Sequence, residues 1–332
     1  MYQLYVGIDI AAKTAHVHWQ SPEGDLSGNQ VIQQCRRDYK RLAQRLKSIA
    51  DPAASLVVME ATGNYWLALA LYLHAADFVV SVINPLRGCH FAKLHLRRAK
   101  TDAIDAAMLC QFAQTIHPDP WTPPPAIYHQ LQQRLGLRED LIKTKTQHRN
   151  RLHAMRYQPY AEACLIARLE RQIALLQQEI DQVTAEIKAL LQSDHEWHEA
   201  ARRLQTIPGI GLITAAWLLT ATHCFARCDT PEQAAAYAGL APHANESGSS
   251  RRGKRQTGGG HAQLRASLYL AAGSALQHNP CLRPFYLRLI QRGKIKQVAR
   301  VAVARKLVHM AWAVVVKQRD FDPRYAHQAL AA

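Results

Sequence analysis

Five prolines stand in the nine residues His117–Pro125 (HPDPWTPPP), and no helix or sheet strand can run through them. Proline lacks the backbone N–H that either ladder needs, so the chain has to fold as separate bodies on the two sides of this segment. A chain of 332 residues is long enough to fill two or three cores. Before the break, short apolar runs alternate with helical spacing, the rhythm of an α/β sheet domain. Leu4–Ile10, Ala15–Gln20, Ser55–Glu60 and Phe78–Ile83 read as strands, and Asp38–Ala50 and Lys100–Gln114 as helices. After the break the spacing is helical. Ile166, Leu169, Ile173, Leu176, Ile180, Val183, Ile187 and Leu190 follow steps of three and four, which predicts a coiled coil whose seam suits a partner chain. From about residue 200 a compact, mainly helical domain follows. The expected domains are 1–116, 126–196 and 200–325.

Charge divides the chain as sharply. Of the formal net charge of +16, 14 units lie in residues 202–332, and Ser247 to Arg319 carries 15 basic residues and no acidic one. A face charged for solubility alone has no need of such a stretch; a polyanionic partner does, because Lys and Arg gain affinity by releasing phosphate counterions. The longest apolar stretches, Leu212–Ala221 and Leu307–Val316, fall short of the ~20 residues that span a bilayer, so no membrane is expected. No start resembles a signal peptide. Seven cysteines, an odd number without regular spacing, fit the reduced thiols of a cytosol. His223, Cys224 and Cys228 have no second Cys/His pair close by, which argues against structural zinc.

Leu204–Ala221 (LQTIPGIGLITAAWLLTA) places a Pro-Gly-x-Gly turn between two apolar helical segments, the form of a helix-hairpin-helix element. Gly209 and Gly211 would let backbone N–H groups at a helix start approach a phosphate without reading base sequence. The acidic residues carry the other signal. Asp9 closes the apolar run Val6-Gly7-Ile8, and Glu60 closes SLVVM in the same way, so both are expected at the carboxyl edge of the sheet. Asp102 and Asp105 stand three apart on an expected helix and share a face. Converging carboxylates repel unless cations lie among them, and oxygen ligands around hard cations are the chemistry of two-metal phosphodiester cleavage. Asp9, Glu60, Asp102 and Asp105 are therefore the candidate metal ligands and catalytic acids, on strands suited to an RNase H-like sheet.

In this order the blocks VGIDIAAKTAHV, VVMEATGNYW, KTDAIDA, AYAGLAP, ESGSSRRGKRQTGGG and NPCLRPFYLRLIQRGKIKQVARVAVARKL resemble the DEDD-type insertion-sequence transposases over nearly the whole chain. That resemblance implies an α/β plus α architecture: a RuvC-like (RNase H fold) N-terminal domain, a helical coiled-coil middle and a C-terminal transposase domain. It also implies a bridge-RNA-guided serine recombinase. The partners would be donor and target double-stranded DNA and a structured noncoding guide RNA, and the protein would act as a homo-oligomer, a dimer or tetramer. Mg²⁺, with Mn²⁺ as a substitute, would sit at the four carboxylates. Ser247 matches the family's nucleophilic serine, with Ser249 and Ser250 close enough to leave the assignment open. Arg251, Arg252, Lys254 and Arg255 would clamp the scissile phosphate. Two other readings stand beside it: a junction resolvase or nuclease that hydrolyses DNA with water, and a non-catalytic nucleic-acid-binding protein.

Overall fold

The computed structural model describes residues 2–94, 101–226, 228–243, 246–247, 251–252 and 256–324, and the chain divides into two compact units, Met1–Pro123 and Pro124–Ala332. The first is built on a five-stranded sheet. Strand β1 (Leu4–Ile10) pairs antiparallel with β2 (Thr14–Gln20), which pairs antiparallel with β3 (Ser27–Gln33). Helix α1 (Arg36–Lys47) crosses back to β4 (Ser55–Glu60), parallel to β1, and α2 (Leu67–Ala75) leads to β5 (Val79–Ile83), parallel to β4. The sheet order is β3-β2-β1-β4-β5. Helices α3 (Pro85–Leu94) and α4 (Asp102–Ile116) complete the unit.

Period-two alternation decides which side chain faces which layer. Leu4, Val6, Ile8 and Ile10 of β1 pack with Leu42 and Leu46 of α1 and Leu69 and Leu73 of α2. Tyr5 of β1, with Leu56 and Val58 of β4, packs on the other face with Phe91 of α3 and Leu109 and Phe112 of α4. Both sheet faces are thus covered, which is why β1 and β4 read as continuous apolar runs. The expected strand and helix positions match these elements to within a few residues, but β3, α2 and α3 were not expected. Four of the seven β3 residues are exposed, so its sequence SGNQVIQ carries little of a buried strand's signature.

In the second unit, α5 (Ala126–Arg156) and α6 (Ala163–Gln192) form an antiparallel hairpin. Arg134 bonds to Glu186 at 3.1 Å, Arg138 to Thr184 at 2.9 Å and Arg156 to Glu170 at 2.6 Å, with Lys145 bonded to Gln177 between them. The C-terminal part of the α6 heptad seam, Val183 and Ile187, is therefore covered within the chain, while Ile166, Ile173 and Leu176 nearer its start stay partly exposed. A two-per-heptad seam needs an apolar helix opposite it, and Ile127, Leu131 and Leu135 of α5 serve. The same core runs without interruption into α7 (His195–Gln205), α8 (Leu212–Thr222), α9 (Pro231–Tyr237), α10 (Ala262–His278), α11 (Leu282–Gln291) and α12 (Lys296–Val316). Residues 126–196 and 200–325, read from the sequence as separate domains, share one core. Between α9 and α10 lie two nested short pairs, β6 (Pro242–His243) with β9 (Gln256–Thr257) and β7 (Glu246–Ser247) with β8 (Arg251–Arg252).

Candidate metal and nucleic-acid site

The acidic site depends on a glycine. A Cβ at Gly7 would lie 2.1 Å from the carbonyl oxygen of Ala106 and 2.2 Å from the amide nitrogen of Cys110, so α4 rests directly on the backbone of β1. Asp9 is two residues further along the same face of β1, and Asp105 and Asp102 lie on α4 just before Ala106. Thr101 fixes the start of α4: its hydroxyl accepts the Ile104 N–H at 3.3 Å and its carbonyl accepts the Asp105 N–H at 2.9 Å. Both acids of the first turn also gain from the positive end of the helix.

Burial, and next the charges of Asp105 and then Asp102, push the Asp9 carboxyl above the ordinary aspartate value; His16 and the Ile10 N–H work against them. His16 stands opposite Asp9 in the β1–β2 register, and its Nε2 is 3.5 Å from an Asp102 carboxylate oxygen. Glu60 follows the Ile8–Met59 pair of the parallel β1–β4 ladder, so Asp9 and Glu60 end neighbouring strands at one level. Alternation with Leu56 and Val58 places Glu60 on the face that carries α3 and α4. A Cβ at Gly88 of α3 would fall 2.1 Å from Glu60 Oε1. Asp9, Asp102 and Asp105 thus share a field, with Glu60 on the adjoining strand, yet among the described residues no three His, Cys, Asp or Glu side chains stand close enough to hold a metal ion as they are placed. As metal ligands these four residues would offer carboxylate oxygen alone, which suits Mg²⁺ or Mn²⁺ rather than zinc.

In the basic unit, Ser247 pairs with Arg251 and Glu246 with Arg252 in the β7–β8 ladder. Ser249, Ser250, Lys254 and Arg255 lie outside the described residues. The Pro-Gly-x-Gly segment forms the turn between α7 and α8, but its glycines serve different ends. Gly209 has φ +107°, and a Cβ there would meet Ala275 backbone atoms at 2.8 and 2.9 Å, so this glycine lets the turn pack against α10 rather than approach a ligand. Around Gly211 a Cβ would meet nothing within 4 Å, and no side chain caps the α8 start that it precedes. Of the pair, Gly209 is thus also required for packing against α10, while Gly211 has open space around it. Asn279 ties the same turn down: its Nδ2 donates to the Pro208 carbonyl at 3.3 Å while its Oδ1 accepts the Cys281 and Leu282 N–H groups.

Sequence reading missed Gly7, Gly88 and His16 as parts of the acidic site. An interior strand glycine is a readable sign of close backbone approach, and Gly7 carried it. His16 had none, since only the antiparallel register brings it opposite Asp9. His261, to which the sequence assigns no role, caps α10 by accepting the Leu264 N–H at Nδ1, 3.2 Å away.

A family model described as a transposase, of the DEDD IS110 type, matches residues 6–157, and one described as the Transposase IS116/IS110/IS902 family matches residues 201–287. The pilin gene-inverting protein of Moraxella bovis is 30% identical, covering 98% of this chain and 99% of its own. That of Moraxella lacunata is 29% identical with the same coverage. The transposase for insertion sequence element IS1328 of Yersinia enterocolitica is 24% identical over 96% of this chain and 98% of its own.

Proposed function

This chain belongs to the IS110/IS116 transposase family, and from that membership we propose that it excises and inserts a mobile element, or inverts a DNA segment, by exchanging strands through a phosphoserine. The observation that carries the reading is the acidic edge of the sheet, where Asp9 is held above its ordinary ionisation range by burial and by Asp105 and Asp102. Like charges held together by a rigid strand and helix favour a cation among them. Asp9, Glu60, Asp102 and Asp105 are the residues that would hold Mg²⁺, and the sheet order with β2 antiparallel supports an RNase H/RuvC-like identity for this unit. When bound, the cation supplies charge stabilisation at the scissile phosphate and lowers the pKa of an attacking hydroxyl.

The chain's own residues account for the remaining steps. The Ser247 hydroxyl gives up its proton and bonds to phosphorus, the bond from phosphorus to a sugar oxygen breaks, and that oxygen takes up a proton. Attack on the phosphoserine by a sugar hydroxyl of a second strand reverses these changes and releases the serine, so no bond energy is lost between cutting and rejoining. Arg251 and Arg252, beside Ser247 in the ladder, supply positive charge at the phosphate, with Lys254 and Arg255 next in sequence. Gly211 at the start of α8 offers backbone N–H groups to duplex phosphates in the helix-hairpin-helix manner. Donor and target DNA chosen through a structured guide RNA, and assembly as a homo-oligomer, complete the reading on family grounds.

A plasmid bearing the element's two ends tests it. Strand exchange is expected from the wild type with Mg²⁺ and from neither Asp9→Asn nor Ser247→Ala. Cleavage retained in Ser247→Ala and lost in Asp9→Asn would instead support hydrolysis by water at the carboxylates alone.

A further inference from the structure

A cavity of about 600 Å³ opens among α10, α11 and the start of α12, and the proposed chemistry at Ser247 makes no use of it. Its volume falls within the roughly 300–1,000 Å³ of small-molecule sites. Lys296 and Arg300 bring positive charge to it, no carboxylate lines it, and neither cation forms an ion pair among the described residues. The first turn of α12 adds to that charge: Lys296 and Gln297 occupy it, and its N-cap, Ile295, offers no side-chain acceptor to the free N–H groups.

Arg300 is held in place rather than left to sweep through solvent. Its Nε donates to the Tyr269 carbonyl at 2.9 Å, and its guanidinium lies 4.3 Å from the centroid of the Tyr269 ring. A Cβ at Gly273 would come within 2.3 Å of Arg300 Nη2. A glycine in the middle of a helix is unfavourable relative to alanine, and here its bare backbone makes room for the guanidinium. The same cavity is lined by groups that suit a base: Tyr286 brings an aromatic ring, while Ser274, Gln277 and Gln297 bring both donors and acceptors.

We propose that this cavity takes one unpaired nucleotide, its phosphate at Lys296 and Arg300 and its base against Tyr286. A base still stacked in a duplex cannot enter a pocket of this kind, so the site selects a single-stranded or bulged position. It rests on the nucleic-acid reading above but not on the serine or the carboxylates. DNA and RNA share the required chemistry, and the test separates them.

Full-length protein is irradiated with short duplexes, either fully paired or carrying one bulged iodouridine, each made as DNA and as RNA, and the crosslinked peptides are mapped. The bulged probe is expected to label Tyr286 or Tyr269, the reactive backbone type identifying the source, while the paired probe labels neither. Lys296→Ala, at an exposed position, should lower the log–log salt slope for the bulged probe by about 0.7. Lys296→Ala with an unchanged slope, equal labelling by paired and bulged probes, or binding of both probes without labelling of either tyrosine, would overturn the proposal. Labelling by the bulged probe in a protein that performs no strand exchange supports the cavity and sinks only the recombinase reading; strand exchange without such labelling sinks the cavity alone.

Discussion

The two units treat charge in opposite ways. The sheet unit gathers acids at one edge, and the backbone contact at Gly7 sets Asp9 two residues along from the resting point of α4. The helical unit has no acidic residue between Ser247 and Arg319, and its acid-free segments include the α10, α11 and α12 helices around a shared apolar core. In the proposed reading one unit would hold cations and the other phosphates, and the two charge patterns lie on separate apolar cores.

The largest expected effect comes from breaking the acidic edge. Asp9→Asn should lower strand exchange by about 10²–10³-fold, the scale set by removing one transition-state-stabilising group. The same substitution should stabilise the metal-free protein. Because the folded pKa of Asp9 lies above the unfolded value of 3.8, folding is favoured most below that value and stability is lost as pH rises through the folded pKa. Above the folded pKa that cost is present, and Asn removes it. Thermal melts without metal should thus rank Asp9→Asn above wild type, and added Mg²⁺ should raise only the wild type appreciably. An activity loss accompanied by a lower melting temperature would mark Asp9 as structural instead.

Next in size are the glycines that bring elements together. Gly7→Ala and Gly209→Ala each put a Cβ within 3 Å of backbone atoms, and each should cost about 1–3 kcal/mol, read by denaturant titration. Gly211→Ala meets open space and should cost under about 1 kcal/mol. Equal losses at Gly209 and Gly211 would contradict the division of roles within the turn.

The smallest effect is a pH dependence confined to the helical unit. His261 accepts the Leu264 N–H at Nδ1 and so caps α10 only while that nitrogen is unprotonated. Burial, and then the charge of Arg265, hold its pKa below the ordinary 6.5. Stability from this group is therefore complete above about 6.5 and falls as pH drops through the window down to the folded value. His261→Asn keeps a capping oxygen and should flatten that dependence while changing stability by less than about 1 kcal/mol at neutral pH. Retained acid sensitivity in the variant would assign it to another histidine.

What the sequence displays and what it hides follow from the same physics. Asp9 and Glu60 were legible because buried parallel strands are continuous apolar runs, and an acid that ends one is conspicuous. Strand β3 was not, since an exposed edge strand such as SGNQVIQ buries little to mark it. The α6 heptad revealed a seam but not its occupant, because α5 answers it at only part of its length, through Ile127, Leu131 and Leu135. His16 became visible only through a register, and Gly209 only through the helix that packs on it.

In the proposed mechanism cations are held in one unit while the covalent bond is made in the other. Mass-spectrometric mapping of the protein–DNA adduct formed on a Mg²⁺-supplemented donor duplex tests it most directly. A phosphodiester link on Ser247 is expected in the wild type, absent from Ser247→Ala and not formed by Asp9→Asn. Cleaved strands with free ends and no protein-linked intermediate would contradict it.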